Sequence, residues 1–234
     1  MDPETNENTK MPSSKRNSRL IYALLAIFAL AAYIPGMWWG APHATSPDRT
    51  KSWGVDDETP LGPLAEIHNI IEPKSDRNYG YPLMYSFTVS AAYAPYLAWQ
   101  YLSGQWSKIS GVYPFGMADP VKTLKEMTLI AHFVTVLMGL GIVLAPFETG
   151  RVLGNRTSGV SAALLAMTLY PMFYYARMGN VDVPMLFFTA LAIVFFANIQ
   201  RYGFTVRRAI WLGLFAGLAL ATKEAALGVI LGIP

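Results

Sequence analysis

The sequence predicts an all-α polytopic membrane protein. Of its 234 residues 53% are hydrophobic and 14% are charged, and the mean hydropathy is +0.31, which is not the balance of a soluble domain. The apolar residues form runs of about 20, the length that crosses a bilayer core as a helix. The basic residues cluster at the ends of these runs, as topology signals do. We therefore expect membrane lipids as partners and no nucleic acid.

The N-terminal part combines a polar tail with a first membrane span. Residues 1–19 are polar and are predicted to be a disordered cytoplasmic tail, because they hold four basic residues and no apolar run. Residues 20–40 are the first span, with Tyr33, Trp38 and Trp39 at its far end as an interfacial belt. The basic residues before this span place the N-terminus inside.

A long outer loop, residues 41–126, follows the first span and holds nine acidic and seven basic residues. Residues 63–71 within it are predicted to form a short amphipathic helix. Residues 82–102 are ambiguous, because they are hydrophobic enough to span the membrane but also contain Pro95, Gln100 and four tyrosines.

The distribution of basic residues favours one of the two alternatives for residues 82–102. The later spans are predicted at residues 127–148, 159–176, 183–200 and 209–222, with a further span beginning near residue 225. If residues 82–102 do not cross, only Arg177 lies in a short outside loop. If they do cross, five other arginines move outside: Arg151, Arg156, Arg201, Arg207 and Arg208. The positive-inside rule therefore predicts an interfacial, non-spanning helix.

The strongest candidates for chemistry are three consecutive acids, Asp56, Asp57 and Glu58. Like charges this close repel unless a cation or basic groups are near. A solvated acidic loop is the alternative interpretation. The predicted topology places the three acids on the same outer face as the turns at residues 174–184 and 222–224, so polar groups of three segments converge there.

Arg177 and Lys223 in those two turns are candidates for binding a phosphate, Arg177 by its fork of donors and Lys223 as a point charge. Asp182 is expected to orient Arg177. The alternatives are a local Arg177–Asp182 ion pair and a Lys223–Glu224 pair that snorkels to the membrane surface. His132 lies inside a predicted span and needs a buried partner.

No cofactor can be assigned with certainty. The chain has no cysteine, which excludes thiolate metal sites. His68, Glu66 and the three acids could together hold a divalent metal ion, but no recognisable ligand spacing supports such a site.

Taken in order, these segments resemble the GT-C superfamily of glycosyltransferases, of the protein O-mannosyltransferase and aminoarabinose transferase type. The resemblance extends over residues 20–234, which are predicted to be one GT-C-like transmembrane domain. The elements that carry it are Asp57-Glu58-Thr59, Ala65-Glu66-Ile67, Tyr-x-Tyr-Pro-Leu at 79–83, Gly-x-Arg at 154–156, Ala-Arg-x-Gly-x-x-Asp-x-Pro at 176–184 and Ala221-Thr222-Lys223. Their order and spacing are more specific than any one of them.

The resemblance implies transfer of a sugar from a polyprenyl-phosphate donor to an acceptor hydroxyl on the outer face, typically with inversion. It implies that Asp57 acts as general base or positions the acceptor, that Glu58 assists, and that Arg177 and Lys223 stabilise the departing lipid phosphate. Asp182, Asp56 and Tyr81 are the supporting residues.

Three departures from the family pattern keep a second function open. Tyr81 stands where aminoarabinose transferases have a lysine, and His132 stands where relatives commonly have an arginine. The family's members are also about twice as long, so we expect only an N-terminal half here. The alternative function is a non-catalytic GT-C-derived subunit or scaffold of a membrane complex; a transporter fits less well, because the polar residues lie at span ends.

Overall fold

A computed structural model describes residues 13–43, 50–54, 56–72 and 81–232, with the side chains of residues 13–17 left out. Within these ranges the chain forms helices and two isolated β-bridges, and no strand, so the predicted all-α fold is confirmed. The helices are α1 (Ser13–Tyr33), continued by a 3-10 turn (Ile34–Gly36), α2 (Gly62–Ile71), α3 (Met84–Leu102), α4 (Pro120–Leu153), α5 (Arg156–Thr168), α6 (Tyr170–Tyr175), α7 (Asp182–Tyr202), α8 (Val206–Leu220) and α9 (Ala226–Ile230).

The first helix begins before the predicted first span. Most of the predicted disordered tail, residues 1–12, lies outside the described residues. Its last part, residues 13–19, is helical and belongs to α1.

Among the described residues, three stretches are long and apolar enough to cross a membrane, Ser18–Gly36, Pro120–Leu153 and Asp182–Tyr202. The other predicted spans correspond to shorter helices, and the described residues after position 225 form the five-residue α9. Residues 159–176 are divided between α5 and α6 at Leu169, whose backbone is extended. Pro171, two residues after Leu169, has no backbone N–H, so the hydrogen bonding of α5 cannot continue through it. Helix α8 has 15 residues, or roughly 22 Å at 1.5 Å per residue.

Helix α4 is the central element and contacts α1, α3, α5 and α7. It begins at an N-cap, where the Asp119 carboxylate accepts a hydrogen bond from the Lys122 N–H at 3.0 Å. Its 34 residues extend over roughly 51 Å, more than the ~30 Å hydrocarbon core. The helix can therefore cross a bilayer and still support structure beyond it.

Helices α1 and α3 pack against different parts of α4. Tyr33 of α1 lies beside Gly139, where an added Cβ would come within 3.4 Å of the tyrosine ring. Helix α3 instead packs with Tyr85, Val89 and Tyr93 against Leu124, Met127 and Ala131. Helix α3 therefore lies beyond the end of α1. This arrangement supports an interfacial α3, although the side of the membrane on which it lies stays a prediction.

Candidate functional site

The three acids lie in a closed loop between α1 and α2, which we call the acidic loop (residues 50–61; Val55 is not described). The loop is closed by a bridge between Lys51 and Pro60 and by a hydrogen bond from the Ser52 N–H to the Thr59 carbonyl oxygen at 3.1 Å. Asp56 stands at its tip with a left-handed backbone (φ 60°) and an exposed side chain. The three adjacent acids therefore have three different environments.

Asp57 is the buried member of the three, with a fully inaccessible side chain. Its Oδ1 accepts hydrogen bonds from the Thr59 N–H (3.0 Å) and Oγ1–H (2.6 Å), and its Oδ2 accepts one from the Ser52 hydroxyl at 2.8 Å. Burial by itself raises the pKa of Asp57, but His132, Thr59 and Ser52 outweigh it and hold that pKa below its ordinary value. Asp57 is therefore an ionised, hydrogen-bonded carboxylate without access to solvent.

His132 on α4 is the fourth partner of Asp57, and it too is completely buried. Its Nε2 lies 2.8 Å from Asp57 Oδ2, and its Nδ1 lies 2.6 Å from the carbonyl oxygen of Met37. Since a carbonyl oxygen can only accept, Nδ1 carries a hydrogen. Asp57 already accepts three other hydrogen bonds through the two oxygens of its carboxylate, so Nε2 faces it as a donor and both ring nitrogens have an acceptor. The predicted buried partner of His132 is thus found.

The turn between α6 and α7, residues 176–181, contacts the acidic loop. We call it the Gly179 turn. The Glu58 N–H donates to the Gly179 carbonyl oxygen at 3.0 Å. A Cβ on Gly179 would collide with the Thr59 methyl group and lie 3.0 Å from Asp57 Oδ1. The glycine in the Ala-Arg-x-Gly motif is therefore required by the close approach of the loop.

Glu58 is half-buried and borders two cavities. The larger, about 370 Å³, is called the Glu58 cavity and is also lined by Glu66, Tyr81, Pro82 and Ser86. Burial, together with the charges of Asp56 and Asp57, raises the pKa of Glu58. Glu58 is thus the acid of the three that combines access to a cavity with a raised affinity for a proton.

Lys223 lies at the edge of this region. Its Nζ donates to Asp182 Oδ1 at 2.7 Å and lies 4.9 Å from the centre of the Tyr81 ring. Burial lowers the pKa of Lys223, but the hydrogen bond and charge of Asp182 outweigh it and raise that pKa. The positive charge of Lys223 also acts on Glu58. Lys223 therefore remains charged and close to the acidic loop.

Arg177 lies at a different cavity, of about 390 Å³, which it lines with Trp39 and Tyr174 and which we call the Arg177 cavity. Its guanidinium stacks on the Phe173 ring, 4.0 Å from the ring centre. The expected orientation of Arg177 by Asp182 is wrong within the described residues, because Asp182 is held by Lys223 across the helix pair. The predicted Lys223–Glu224 pair is likewise replaced by Lys223–Asp182.

The structure therefore brings together Asp57, Glu58, Tyr81, Asp182 and Lys223, whereas Arg177 of the Gly179 turn lines a separate cavity. Sequence reasoning missed Ser52 and Thr59 as donors to Asp57. The sequence did contain a signal for these donors, because two hydroxyl residues lie two and five positions from Asp57 in a loop bounded by proline. Among the described residues, no group of three or more His, Asp or Glu side chains is arranged to hold a metal ion.

Comparison with known families agrees with the predicted resemblance. Residues 125–233 match the model of a family described as dolichyl-phosphate-mannose-protein mannosyltransferase. The matched part runs from α4 to the end of the chain and contains His132, Arg177, Asp182 and Lys223, whereas the acidic loop lies outside it. Comparisons with curated proteins and with solved structures yield no match.

Proposed function

We propose, from the similarity of residues 125–233 to the dolichyl-phosphate-mannose-protein mannosyltransferases, that the chain is part of a membrane glycosyltransferase. The proposed reaction moves a sugar from a polyprenyl-phosphate donor to an acceptor hydroxyl on the outer face of the membrane. The observation that carries the proposal is the contact between the two parts of the chain. The acidic loop, outside the family match, docks on His132 and on the Gly179 turn, inside it.

In the proposed reaction the acceptor oxygen attacks the anomeric carbon of the sugar while the bond from that carbon to the phosphate oxygen breaks. The acceptor proton passes to a carboxylate, and the lipid phosphate leaves as an anion. No separate proton donor is needed for such a leaving group if fixed cations stabilise it.

The family resemblance implies that Asp57 acts as general base or positions the acceptor, with Glu58 assisting, and the geometry favours dividing these roles differently. Asp57 has both oxygens occupied by four donors and a side chain with no exposed surface, and it lines the smaller cavity but not the Glu58 cavity. Glu58 borders the Glu58 cavity and has a raised pKa, which suits proton transfer near neutral pH. We therefore assign the base to Glu58 and the fixing of the loop to Asp57.

Lys223 and Arg177 are both assigned as contacts to the phosphate, on different observations. Lys223 is charged, close to Glu58 and next to Tyr81 in the cavity wall. Arg177 lines the Arg177 cavity among aromatic side chains. We therefore assign Lys223, whose charge acts on Glu58, to the phosphate of the reacting donor, and Arg177 to an anionic group that enters from the side of α1 and α6.

The proposal is tested by reconstituting the chain in lipid nanodiscs with polyprenyl-phosphate mannose and a panel of serine- and threonine-containing peptides. Release of polyprenyl phosphate coupled to labelling of a peptide is the expected result, and Glu58→Gln should abolish it. Tight donor binding without release by the parent chain would instead favour the alternative function, a non-catalytic subunit that retains the GT-C framework.

A further inference from the structure

The buried pair His132–Asp57 is more than a local contact, because each residue is tied to a different segment. His132 belongs to the central helix and also donates to Met37 in the segment after α1. Asp57 belongs to the acidic loop, which it closes internally through Ser52 and Thr59. His132 thus links the loop to the central helix through Asp57, in addition to the backbone bond between Glu58 and Gly179.

Each ring nitrogen of His132 has its own hydrogen-bond partner. Nδ1 of His132 serves Met37, and Nε2 serves Asp57. If Nε2 lost its proton, two lone pairs would face each other at 2.8 Å in a site without water access, and a buried carboxylate would lose a charged donor. Other ionisable groups near Asp57 are Glu58 in the same loop and Tyr85 and Tyr93 from α3.

Glu58 follows Asp57 directly, and within the described residues its carboxylate makes no hydrogen bond that would hold it in the Glu58 cavity. Its position is set by its backbone, whose N–H is bound to Gly179 at 3.0 Å, and by the fixed neighbour Asp57. A loop that moved at Asp57 would therefore move the carboxylate of Glu58 relative to the cavity.

We propose that His132 is a positioning residue: through its Nε2–H it holds Asp57, and with it the acidic loop, so that Glu58 is presented to the Glu58 cavity. The importance of presenting Glu58 rests on the proposed function. The hold of His132 on the loop does not rest on it, and the mobility of a spin label measures that hold without a transfer assay. The proposed function and the positioning role of His132 can therefore fail separately.

Two substitutions separate the nitrogens of the ring. His132→Gln places an amide N–H near the position of Nε2 and keeps a donor for Asp57, whereas His132→Asn places one near Nδ1 and keeps a donor for Met37. The chain has no cysteine, so Trp53→Cys, at an exposed loop position, carries a single spin label. Val112→Cys, equally exposed in the loop after α3, is the control label.

Electron paramagnetic resonance spectra in nanodiscs should show an immobilised label at position 53 in the parent and in His132→Gln. His132→Asn should lose the immobilised component, and the control label at position 112 should not change. An ordered loop in His132→Asn, or equal behaviour of the two variants, overturns the proposal, since the ring would then act through Met37 or not at all.

A second measurement needs no change at position 132, which covers the case in which those variants fail to fold. Histidine occurs three times in the chain, so His43→Gln together with His68→Gln leaves His132 alone for selective nitrogen-15 labelling. Two protonated ring nitrogens at neutral pH support the proposal. A neutral ring overturns it.

Discussion

The Glu58 N–H and the Gly179 carbonyl oxygen, 121 positions apart in sequence number, are joined by a 3.0 Å hydrogen bond. This bond connects a loop outside the family match to a turn that lies within it. The chemistry proposed for the acidic loop therefore depends on the shape of the Gly179 turn.

Gly179→Ala should displace the acidic loop. The added methyl would collide with Thr59 and crowd Asp57, so we expect a loss of stability of about 1–3 kcal/mol, as for overpacked cores, and a loss of transfer. Thermal unfolding in nanodiscs and the transfer assay measure the two effects.

The matched control is Gly213→Ala on α8, where an added Cβ meets nothing within 4 Å. That variant should be neutral or slightly stabilised, since alanine is favoured over glycine in a helix by about 1 kcal/mol. Equal effects at positions 179 and 213 would show that the close approach is not what requires Gly179.

Glu58→Gln should abolish transfer and at the same time stabilise the protein at neutral pH. Because the pKa of Glu58 is raised in the folded state, the native carboxyl binds its proton more tightly than the unfolded one. Its stabilising contribution is present below the unfolded pKa, near 4.5, and is lost as the pH rises through the raised pKa.

The stability gain of Glu58→Gln over the parent should therefore appear at pH 7 and vanish near pH 4, in thermal unfolding followed against pH. Glu72→Gln, at an exposed position at the end of α2, should change neither transfer nor stability. A Glu58→Gln variant that retains turnover would remove this residue from the mechanism.

Asp57→Asn and Asp57→Ala should differ in stability. The asparagine amide can still accept from Thr59 and donate to the His132 ring, so the loop stays in place and we expect little unfolding and retained transfer. Alanine leaves His132 buried without an anion, which costs about 3 kcal/mol when one partner of a buried pair is removed. Chemical denaturation of both variants tests this; similar midpoints would mean that the pair contributes little to the fold.

Lys223→Gln should weaken binding of the lipid phosphate. It removes the cation beside Glu58 and leaves Asp182 unpaired, so the donor anion loses an attractive charge and gains a repulsive one. Affinity for a non-reactive polyprenyl phosphate, measured in nanodiscs at fixed salt, is the readout. Lys122→Gln, exposed on α4, is the control and should bind as the parent does.

Arg177→Gln, measured in the same assay, shows whether the Arg177 cavity also receives the phosphate. We expect a weaker affinity there too. An unchanged affinity in Arg177→Gln beside a reduced one in Lys223→Gln would assign the phosphate to Lys223 alone.

Lys108 and Arg207 should lie on opposite sides of the membrane. Lys108 follows α3 and Arg207 begins α8, and the positive-inside rule predicts the first outside and the second inside. Since the chain has no cysteine, single Lys108→Cys and Arg207→Cys variants can be labelled with a membrane-impermeant thiol reagent. Reaction of position 207 but not of position 108 from the outside would contradict the predicted interfacial α3, because a spanning α3 exchanges the two sides.

The sequence by itself determined the helical membrane class, most helix positions and the family resemblance. Apolar runs of membrane length and clustered arginines are local features, and a helix satisfies its backbone hydrogen bonds within one segment, so these inferences need no knowledge of distant contacts. Residues 84–102 and 62–71 were found as helices for the same reason.

Only the tertiary structure decided what each polar residue does. Asp56, Asp57 and Glu58 are indistinguishable as neighbours in the sequence, yet one is exposed, one is buried on His132 and one borders a cavity. Asp182 pairs with Lys223, 41 positions away, and not with nearby Arg177. Burial and partner choice follow from how α4, α7 and α8 pack, and charges respond to whatever lies within a few ångströms, whichever part of the chain supplies it.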